Sequence, residues 1–525
     1  MPNAGMQDRV VVVGAGIGGL VAALGLACQG LRVTLLDRAA APGGKMRQVA
    51  VAGRQIDAGP TVFTMRWVLD AVFAAAGTTL DEHLTLRPAA TLARHAWPDG
   101  SRLDLFADLE RTADAIGALA GAQEAAGFRA FTAQSRAIYQ TLEAPFIRAQ
   151  RPGMTELVRR AGVAELWRIR PFDTLWSALS QHFQDPRLRQ MFGRYATYCG
   201  SSPYLAPATL MLVAHVEREG VWLVDGGMHR VAAALAALAE ARGVAVRMGT
   251  EVAEVLVRGG RACGVRLADG ERIEAEAVVV NADPAAVAAG LLGAGTAGAT
   301  PRVAPAERSL SALTWATIAH AEGFPLLRHT VFFSDDYAAE FSELHRGALP
   351  TQPTTYVCAQ DRGCDQDRGC DRAGDDTAPS GPERLLVLVN APPTGDTRPP
   401  TPTEITQCRD RTFSHLAKVG LRLTPDETLT TGPAEFHRLF PGTGGALYGP
   451  AVHGPMATFR RPGSRTALPG LYLAGGSTHP GAGVPMAALS GGLAASSVTE
   501  DLGSLRRAST QWSRQVVTPG GMSMR

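Results

Sequence analysis

The stretch from Arg9 to Arg38 decides the fold and reads RVVVVGAGIGGLVAALGLACQGLRVTLLDR. Its valine run predicts a buried strand, and the apolar residues after the glycines predict a helix. Between them, Gly14, Gly16 and Gly19 form a G-x-G-x-x-G turn. A second strand then ends at Asp37. This order of strand, glycine turn, helix, strand and acidic residue is typical of a β-α-β unit that binds a dinucleotide.

Each glycine of this unit, and Asp37, has a separate physical role in binding a dinucleotide. Gly14 permits the tight turn, Gly16 lets backbone amides approach a pyrophosphate, and Gly19 allows the helix to pack close to the sheet. The first helical turn supplies unpaired N–H groups and the positive end of the helix dipole, which favour phosphate. Asp37 would accept hydrogen bonds from the adenosine ribose and would repel a ribose phosphate, which disfavours NADP. A glycine turn with a purely structural role is the alternative.

Two further glycine turns follow closely, APGGKMR at residues 41–47 and DAGPT at residues 57–61. So much accessible backbone soon after the ribose-binding strand indicates a ligand that extends past the pyrophosphate and is enclosed. An extended FAD needs such a site, whereas NAD rarely does. The alternative for Gly43 and Gly44 is a surface turn. Lys45 weighs slightly against that alternative, because all but two of the 51 basic residues are arginines.

Composition sets wide limits. The 525 residues favour two intertwined domains, and 46% hydrophobic residues suffice for both cores. A formal charge of +2 gives no indication of a nucleic-acid partner. The seven cysteines show no paired spacing, which is typical of a reducing cytoplasm. Residues 360–371 repeat QDRGCD, and the sixfold cysteine spacing matches no tight zinc pattern, so we expect a copied loop and no metal site.

The succession of strand and helix signals predicts a discontinuous nucleotide-binding domain. After a helix-rich segment, strand signals return from residue 220, with a hairpin turn at Asp269-Gly270 and a buried strand over residues 277–280. Asn281 and Asp283 follow that strand, where they would either contact a ligand or cap a helix before Pro284. The predicted boundaries are 1–85, 220–300 and 460–505 for the nucleotide-binding domain, 86–219 and 301–459 for the substrate domain, and 506–525 for a loose tail.

Residues 136–170 interleave seven arginines and three glutamates with bulky apolar residues. Such a segment would dip an apolar face into a membrane and place its arginines at the headgroups. The alternative is an ordinary amphipathic helical pair with solvated charges. The sequence supports these two interpretations equally. No stretch predicts a transmembrane helix.

Residues 471–491 read LYLAGGSTHPGAGVPMAALSG. We expect a short strand, a close backbone approach at Gly475 and Gly476, and a helix from about Met486. The small residues of that helix would let it pack near the sheet, and its N-terminus would stabilise negative charge on a bound ring. A glycine-rich linker is the alternative.

Taken together, these motifs resemble the bacterial-type carotenoid desaturases, the phytoene desaturase family of flavoproteins. The resemblance implies an α/β fold with a discontinuous Rossmann-type FAD-binding domain and an α+β substrate domain, in the amine-oxidase-like flavoprotein architecture. It implies that FAD is held by Gly14, Ala15, Gly16, Gly18, Gly19, Asp37, Gly44, Lys45, Arg47, Gly59, Val252, Gly475, Gly476, Gly483, Val484, Pro485 and Met486. The family more often has glutamate at the position of Asp37, and the doubled QDRGCD segment lies outside its pattern.

A closer match is to the branch that desaturates 1-hydroxycarotenoids such as 1-hydroxyneurosporene at the 3,4-position. It is carried by GPTVFTMRW at residues 59–67, HAWPDGSRLDL at 95–105, FGRYATYCGSS at 192–202, and residues 206–227. The implied reaction removes a hydride and a proton from two unactivated carbons. Because no side-chain base can take such a proton first, the absence of a paired-carboxylate or Ser/His/Asp arrangement is expected, and the flavin performs the hard step.

A tertiary hydroxyl near the oxidised bond would need one polar partner in an apolar tunnel. The candidates are Arg66, Tyr195, Tyr198 and His479, and the sequence does not choose among them. For each, a structural role is the competing interpretation: a surface ion pair for Arg66, core packing for the tyrosines, and a turn cap for His479.

The resemblance also implies an apolar carotenoid substrate, oxygen or a membrane quinone as electron acceptor, and a cytoplasmic protein peripherally attached to the inner, photosynthetic membrane. Within the same flavin group the alternatives are a phytoene desaturase, a carotenoid isomerase or an amine oxidase. A flavin-free isoprenoid carrier of the Rab GDP-dissociation inhibitor type is the alternative from another class. The intact glycine turn and Asp37 argue against the carrier.

Overall fold

The computed structural model describes residues 8–363 and 379–516. Strands of two to twelve residues are distributed over the whole described chain. In chain order they are Arg9–Val13 (β1), Arg32–Leu36 (β2), Gln48–Val51 (β3), Arg54–Asp57 (β4), Phe63–Thr64 (β5), Leu86–Pro88 (β6), Thr91–Ala96 (β7), Arg102–Phe106 (β8), Val221–Val224 (β9), Ala245–Arg247 (β10), Val252–Arg258 (β11), Arg261–Leu267 (β12), Arg272–Glu274 (β13), Ala277–Val280 (β14), Ser311–Glu322 (β15), His329–Phe332 (β16), Thr355–Ala359 (β17), Glu383–Ala391 (β18), Arg422–Thr431 (β19) and Leu471–Leu473 (β20).

Helices fill the sequence between these strands and are densest from residue 109 to residue 218. In chain order they are Ile17–Cys28 (α1), Arg66–Ala75 (α2), Leu109–Ala120 (α3), Ala122–Leu142 (α4), Met154–Ala161 (α5), Val163–Arg168 (α6), Leu175–His182 (α7), Pro186–Gly193 (α8), Leu212–Arg218 (α9), His229–Ala241 (α10), Pro284–Ala288 (α11), Tyr337–His345 (α12), Pro402–Lys418 (α13), Pro433–Leu439 (α14), Ala457–Arg460 (α15) and Val484–Val516 (α16).

A five-stranded parallel sheet has the order β10-β2-β1-β14-β20. Its central strand β1 pairs Val12 with Leu35 of β2 and with Val279 of β14. The valine-rich strands are buried on both faces, as is usual for parallel sheets. Because the five strands come from three separated parts of the chain, one sheet joins the three stretches that we predict as the nucleotide-binding domain. Helix α1 packs against both α10 and α16.

A seven-stranded sheet has the order β19-β15-β18-β17-β16-β7-β8, and only the β16–β7 pair within it is parallel. Alternate residues of a strand face opposite sides. Val387 and Val389 of β18 therefore pack with Leu416 of α13 in one core, while Leu386 and Leu388 face the other side. Strands β7 and β8 come from the predicted substrate segment 86–219 and the other five come from 301–459, so this sheet joins both parts.

The C-terminus differs from the predicted loose tail, because α16 continues past residue 505 to Val516. No proline interrupts the chain between Pro485 and Pro519, so nothing in the sequence ends the helix earlier. Most of the doubled QDRGCD segment lies outside the described residues. Over the part of the chain that the structure describes, no helix combines the length and the apolar character needed to cross a membrane.

Candidate active site

A cavity of about 1630 Å³ is lined by residues of both the parallel sheet and the seven-stranded sheet. It is lined at one side by the carboxyl ends of β1, β2 and β14, and at another by Val331, Tyr356 and Leu388 of the seven-stranded sheet. Register places these three side chains in one row, since Val331 pairs with Tyr356 and Tyr356 with Leu388. Ordinary small-molecule sites occupy about 300–1,000 Å³. The cavity therefore has room for a large cofactor together with a long second ligand.

The first glycine turn opens onto this cavity. Gly14, Gly16 and Gly18 line it, and α1 begins without a side-chain cap or an acidic residue in its first turn. The two other predicted contacts, Ala15 and Gly19, are not on the lining. A Cβ atom at Gly19 would lie 1.9 Å from the Gly14 carbonyl oxygen, so this glycine allows the helix to pack on the turn. The uncapped N–H groups suit a phosphate.

The Asn281 side chain leaves no room for a Cβ atom at two of the glycines, a constraint that was not predicted from the sequence. A Cβ at Gly16 would lie 2.6 Å from its Oδ1, and one at Gly475 would lie 2.6 Å from its Nδ2. The Nδ2 group donates to the Ala474 carbonyl oxygen at 2.9 Å. Asp283, by contrast, caps α11 by accepting from Ala285 N at 2.9 Å, which agrees with the capping interpretation. Asn281 thus holds together the turns that form this wall, besides lining the cavity itself.

Asp37 lines the cavity where β2 ends. Its Oδ2 accepts from Ala15 N at 2.7 Å and its Oδ1 from Ala39 N at 2.7 Å. A carboxylate has about four lone-pair positions, so acceptor capacity remains for ribose hydroxyls. Val252 begins β11 and lines the same end of the cavity beside Thr250. This end has the polar acceptor and the apolar side chain that an adenosine needs.

The next two predicted turns meet each other on the wall. Gly44, Lys45, Arg47 and Gly59 all line the cavity, and a Cβ at Gly59 would lie 1.9 Å from the Lys45 carbonyl oxygen. Lys45 Nζ donates to the carbonyl oxygen of Leu447 at 2.5 Å. Burial lowers the pKa of Lys45, and the Asp283 carboxylate opposes that shift. The Gly43-Gly44 turn is therefore part of the cavity wall.

The C-terminal glycine segment forms the adjoining wall. Gly475, Gly476 and residues 483–486 line the cavity, and α16 begins at Val484. A Cβ at Gly476 would have no protein atom closer than 3.8 Å, so a side chain there would meet only ordinary van der Waals contacts. Arg461 is only 2% exposed and donates from Nη1 to the Gly476 carbonyl oxygen at 3.2 Å. Burial lowers the pKa of this guanidinium.

These observations fit an anionic dinucleotide that carries a ring system. The helix N-terminus and Asp37 suit its pyrophosphate and ribose, and the bare backbone of Gly476 on the cavity lining suits a flat ring. Within the described residues neither Lys45 nor Arg461 has a carboxylate within 4.0 Å, although buried cations normally need a counter-charge. A bound anion would supply one. Fifteen of the seventeen predicted cofactor-binding residues lie on the lining, all except Ala15 and Gly19.

Three of the four candidate polar partners do not line the cavity. Arg66 pairs with Asp70 at 3.3 Å and with Asp81 at 2.5 Å near the surface, which agrees with its structural interpretation. His479 is buried beside the cavity lining and shares a 3.0 Å hydrogen bond between Nε2 and the Ala149 carbonyl oxygen. Burial lowers the pKa of His479 to about 4, so it is neutral near pH 7. Tyr195 is buried behind the lining.

Tyr198 is the fourth candidate and does line the cavity. Its hydroxyl accepts from Arg194 Nη2 at 2.9 Å and donates to Glu217 Oε1 at 3.0 Å. Tyr195 donates to Glu217 Oε2 at 2.6 Å. We call Arg194, Tyr195, Tyr198 and Glu217 the polar cluster. Arg194 and Glu217 were missed from sequence, although Arg194 lies in FGRYATYCGSS, where an arginine between Phe192 and Tyr195 was a usable signal.

The mouth segment, residues 154–172, carries exposed apolar side chains. Val163 is 69% exposed, Trp167 72% and Phe172 67%, and all three also belong to the cavity lining. Arginines at positions 159, 160 and 168 are interspersed and pair with nearby glutamates. Exposed apolar residues that rim a cavity mark a place where an apolar partner binds. This segment is the second half of the stretch for which membrane contact and a solvated helical pair were equal alternatives.

Comparison with known proteins gives consistent results. Residues 17–499 match the family described as flavin containing amine oxidoreductase. The chain is 56% identical over 98% of its length to hydroxyneurosporene desaturase of Rubrivivax gelatinosus, covering 97% of that protein. It is 48% identical over 95% of its length to the hydroxyneurosporene desaturase of Cereibacter sphaeroides, covering 99% of it. Among solved structures, an oxidoreductase from Methanosarcina mazei has a TM-score of 0.58 at 16% identity, with 94% of this chain and 100% of that chain covered.

Proposed function

This chain belongs to the flavin-containing amine oxidoreductase family, and from that premise we propose that it is an FAD-dependent desaturase of acyclic 1-hydroxycarotenoids that forms their 3,4-double bond. The predicted fold class, cofactor and reaction type are confirmed at the level of the family. The choice of 1-hydroxyneurosporene as a substrate follows the names of the two relatives that the chain resembles over nearly its full length.

One observation carries the proposal. A single cavity joins the glycine turns that suit a dinucleotide to an apolar region that ends among exposed aromatic side chains. A polyene needs an apolar tunnel, and its oxidation needs that tunnel to pass the flavin. The cavity meets both requirements, because Gly476 and the apolar row of Val331 and Leu388 line the same space.

FAD, when bound, supplies the two-electron oxidant that accepts a hydride from the saturated carbon pair. The chain positions the groups around that reaction. Gly14, Gly16 and Asp37 would hold the nucleotide end, and Gly476 would leave space for the ring. The apolar row would align the polyene and exclude water. The neighbouring proton would then leave from a delocalised cation, so a weak acceptor suffices.

The start of α16 would supply electrostatic support for the reduced cofactor. The segment from Gly483 to Met486 lines the cavity, and the first turn of α16 contains no acidic residue. A helix N-terminus favours negative charge within its first turn. Lys45 and Arg461 add two buried positive groups to the same wall. We expect these three features together to stabilise anionic reduced flavin over the oxidised form.

Membrane contact through the mouth segment is part of the proposal. Carotenoids reside in lipid, and a cavity whose rim bears Val163, Trp167 and Phe172 would receive them directly from a bilayer. The nearby arginines would contact anionic headgroups. Oxygen or a membrane quinone would remove the electrons from reduced flavin.

The direct test uses FAD-loaded protein and liposomes under anaerobic conditions with an added quinone. Neurosporene, its 1-hydroxy derivative and phytoene are supplied separately, and products are identified by absorption spectrum and mass. We expect one additional conjugated double bond in the hydroxylated substrate alone. Equal turnover of phytoene would contradict the substrate assignment. A protein that binds carotenoid but retains no flavin would instead support the isoprenoid carrier.

A further inference from the structure

We propose that the polar cluster is the subsite for the tertiary hydroxyl of the substrate, with Arg194 as the group that donates to the hydroxyl oxygen. This inference rests on the proposed function and deepens it. It assigns a specificity-determining residue that lies outside the cofactor-binding turns and was not among the four sequence candidates.

Arg194 is a cation on the cavity wall whose hydrogen bonds are incomplete. A guanidinium has five N–H donors. The hydrogen bond from Nη2 to the Tyr198 hydroxyl uses one of them. Within the described residues Nη1 has no hydrogen-bond partner, and unlike the fully buried Nε it keeps accessible surface. Because Arg194 lines the cavity, a ligand oxygen there can accept a hydrogen bond from Nη1.

The charge of Glu217 compensates that of Arg194, so the polar cluster favours a neutral ligand over an anionic one. Glu217 is only 5% exposed and is joined to Arg194 through the Tyr198 hydroxyl, with no direct ion pair within 4.0 Å between them in the described chain. The cluster is therefore neutral as a whole, and an anionic ligand would leave a net buried negative charge. An alcohol oxygen is neutral and accepts a hydrogen bond from Arg194. Its own proton is available to a second acceptor, such as the Glu217 carboxylate, which also lines the cavity.

Tyr195, which does not line the cavity, fixes the position of the Glu217 carboxylate in the polar cluster. Tyr195 Oη donates to Glu217 Oε2 at 2.6 Å, and its ring packs against Phe192 with centroids 6.0 Å apart. Burial raises the pKa values of Tyr195 and Tyr198, so both remain neutral donors near pH 7. Since Tyr195 does not reach the lining, we regard it as a positioning residue that fixes the carboxylate.

The cluster also lies in the part of the cavity where the reacting bond must be. A 1-hydroxyl is attached two carbons from C3, so its partner must be close to the flavin wall. Tyr198 lines the cavity two residues before Gly200. A Cβ atom at Gly200 would lie 2.4 Å from the Tyr448 ring, and one at Gly449 would lie 2.8 Å from the Cβ atom of Ser477. Ser477 follows Gly476, so this geometry connects the cluster to the C-terminal glycine wall.

An apolar site with one hydrogen-bonding group explains how the enzyme would separate substrates that differ by one hydroxyl. A substrate without the oxygen would leave one Arg194 donor without a partner in an apolar site, and such a loss discriminates much more strongly than a change in apolar contact. The remaining wall, including Val331 and Leu388, treats both polyenes alike.

The test compares Arg194→Met, Tyr198→Phe and the matched control Arg66→Met, which removes an arginine outside the cavity. For each protein, kcat/KM is measured with 1-hydroxyneurosporene and with neurosporene. Binding of both carotenoids is measured by quenching of tryptophan fluorescence, and flavin retention and Tm monitor the fold.

We expect Arg194→Met to lower kcat/KM for the hydroxylated substrate about 10- to 100-fold, which is the usual range for a lost hydrogen bond to a charged group. Conversion and binding of neurosporene should be unchanged or improved. Tyr198→Phe should reduce the hydroxylated substrate's kcat/KM several-fold, because Arg194 loses its link to Glu217. Arg66→Met should leave the ratio between the two substrates unchanged.

An equal loss for both substrates in Arg194→Met would show a structural role and overturn the inference, as would an unchanged substrate ratio. If Arg194→Met fails to fold, the ratio in Tyr198→Phe decides in the same way. If wild-type protein converts neither carotenoid, the proposed function fails. If wild type converts both equally, the hydroxyl subsite fails while desaturase activity stands.

Discussion

Asn281 donates its side-chain amide to the carbonyl oxygen of Ala474 at 2.9 Å, and so joins the ends of two neighbouring strands, β14 and β20, on the cavity wall. Its Oδ1 lies 2.6 Å from the position that a Cβ atom of residue 16 would take. One short side chain thereby connects the first glycine turn, the end of β14 and the C-terminal glycine segment. These three parts are hundreds of residues apart in sequence.

Replacing Asn281 with leucine should weaken both the fold and flavin binding. Leucine has a similar size but cannot donate to Ala474, so we expect the free energy of unfolding to fall by about 1–3 kcal/mol. Urea denaturation of apoprotein measures this change, and fluorescence titration with FAD measures affinity. The control is Gln29→Leu, the same loss of an amide at an exposed position after α1. Equal effects of the two substitutions would contradict the role of Asn281.

Two adjacent glycines should respond in opposite ways. Gly476→Val places a Cβ atom where no protein atom lies closer than 3.8 Å. The free energy of unfolding of the apoprotein should therefore stay within about 1 kcal/mol of the wild-type value, while flavin retention is lost. Gly475 has φ of +123° and no room beside Asn281, so Gly475→Ala should lower apoprotein stability by about 1–3 kcal/mol. Thermal unfolding and the yellow colour of purified protein distinguish the two outcomes. A yellow, active Gly476→Val protein would overturn the flavin assignment of this wall.

The mouth segment should determine attachment to lipid. Trp167→Ser and Phe172→Ser each remove an exposed aromatic side chain that would bury itself in the bilayer, with about 1.5–3 kcal/mol lost per residue. We therefore expect the partition coefficient onto anionic liposomes to fall about tenfold or more for each substitution in a sedimentation assay. Leu429→Ser on β19 is the control, because Leu429 is also exposed, at 41%, but is not part of the mouth segment. Binding that is unaffected in both aromatic variants would contradict membrane docking through this surface.

Glu340 should make the stability of the protein depend on pH. It is 1% exposed, and burial raises its pKa from 4.5 to about 7. Between pH 4.5 and 7 the folded state binds more protons at this group than the unfolded state, so its contribution to stability falls as pH rises and is constant above the folded pKa. The unfolding free energy of Glu340→Gln relative to that of wild type should rise by about 2.5 kcal/mol from pH 5 to pH 8. A difference that does not change with pH would contradict the raised pKa.

Much of the wall that we propose holds the cofactor was predictable because its signals are local. Gly14, Gly16 and Asp37 belong to one contiguous strand-helix-strand unit whose geometry follows from backbone sterics and the strand and helix periods. The same holds for the helix that begins at Val484, two residues before its predicted start. These residues are close together in the sequence and therefore also close together in the structure.

Three of the four polar candidates do not line the cavity, because burial and pairing depend on tertiary neighbours. Arg66 lies in the GPTVFTMRW stretch, yet it pairs with Asp81 near the surface. His479 lies in the glycine segment, yet its ring packs on Phe146 with centroids 4.8 Å apart and does not line the cavity. In contrast, Arg194 and Glu217 come from different helical segments and form one site only after packing.

By itself, the sequence determined the fold class, the glycine turn after β1 and the position of the acidic residue after β2, because these depend on residue type and spacing within a few turns of backbone. Only the tertiary structure decided which polar side chains reach the cavity, why Asn281 requires bare backbone at Gly16 and Gly475, and where the apolar mouth opens. Those features depend on contacts between distant segments, and their free energy comes from burial and pairing that no local pattern records.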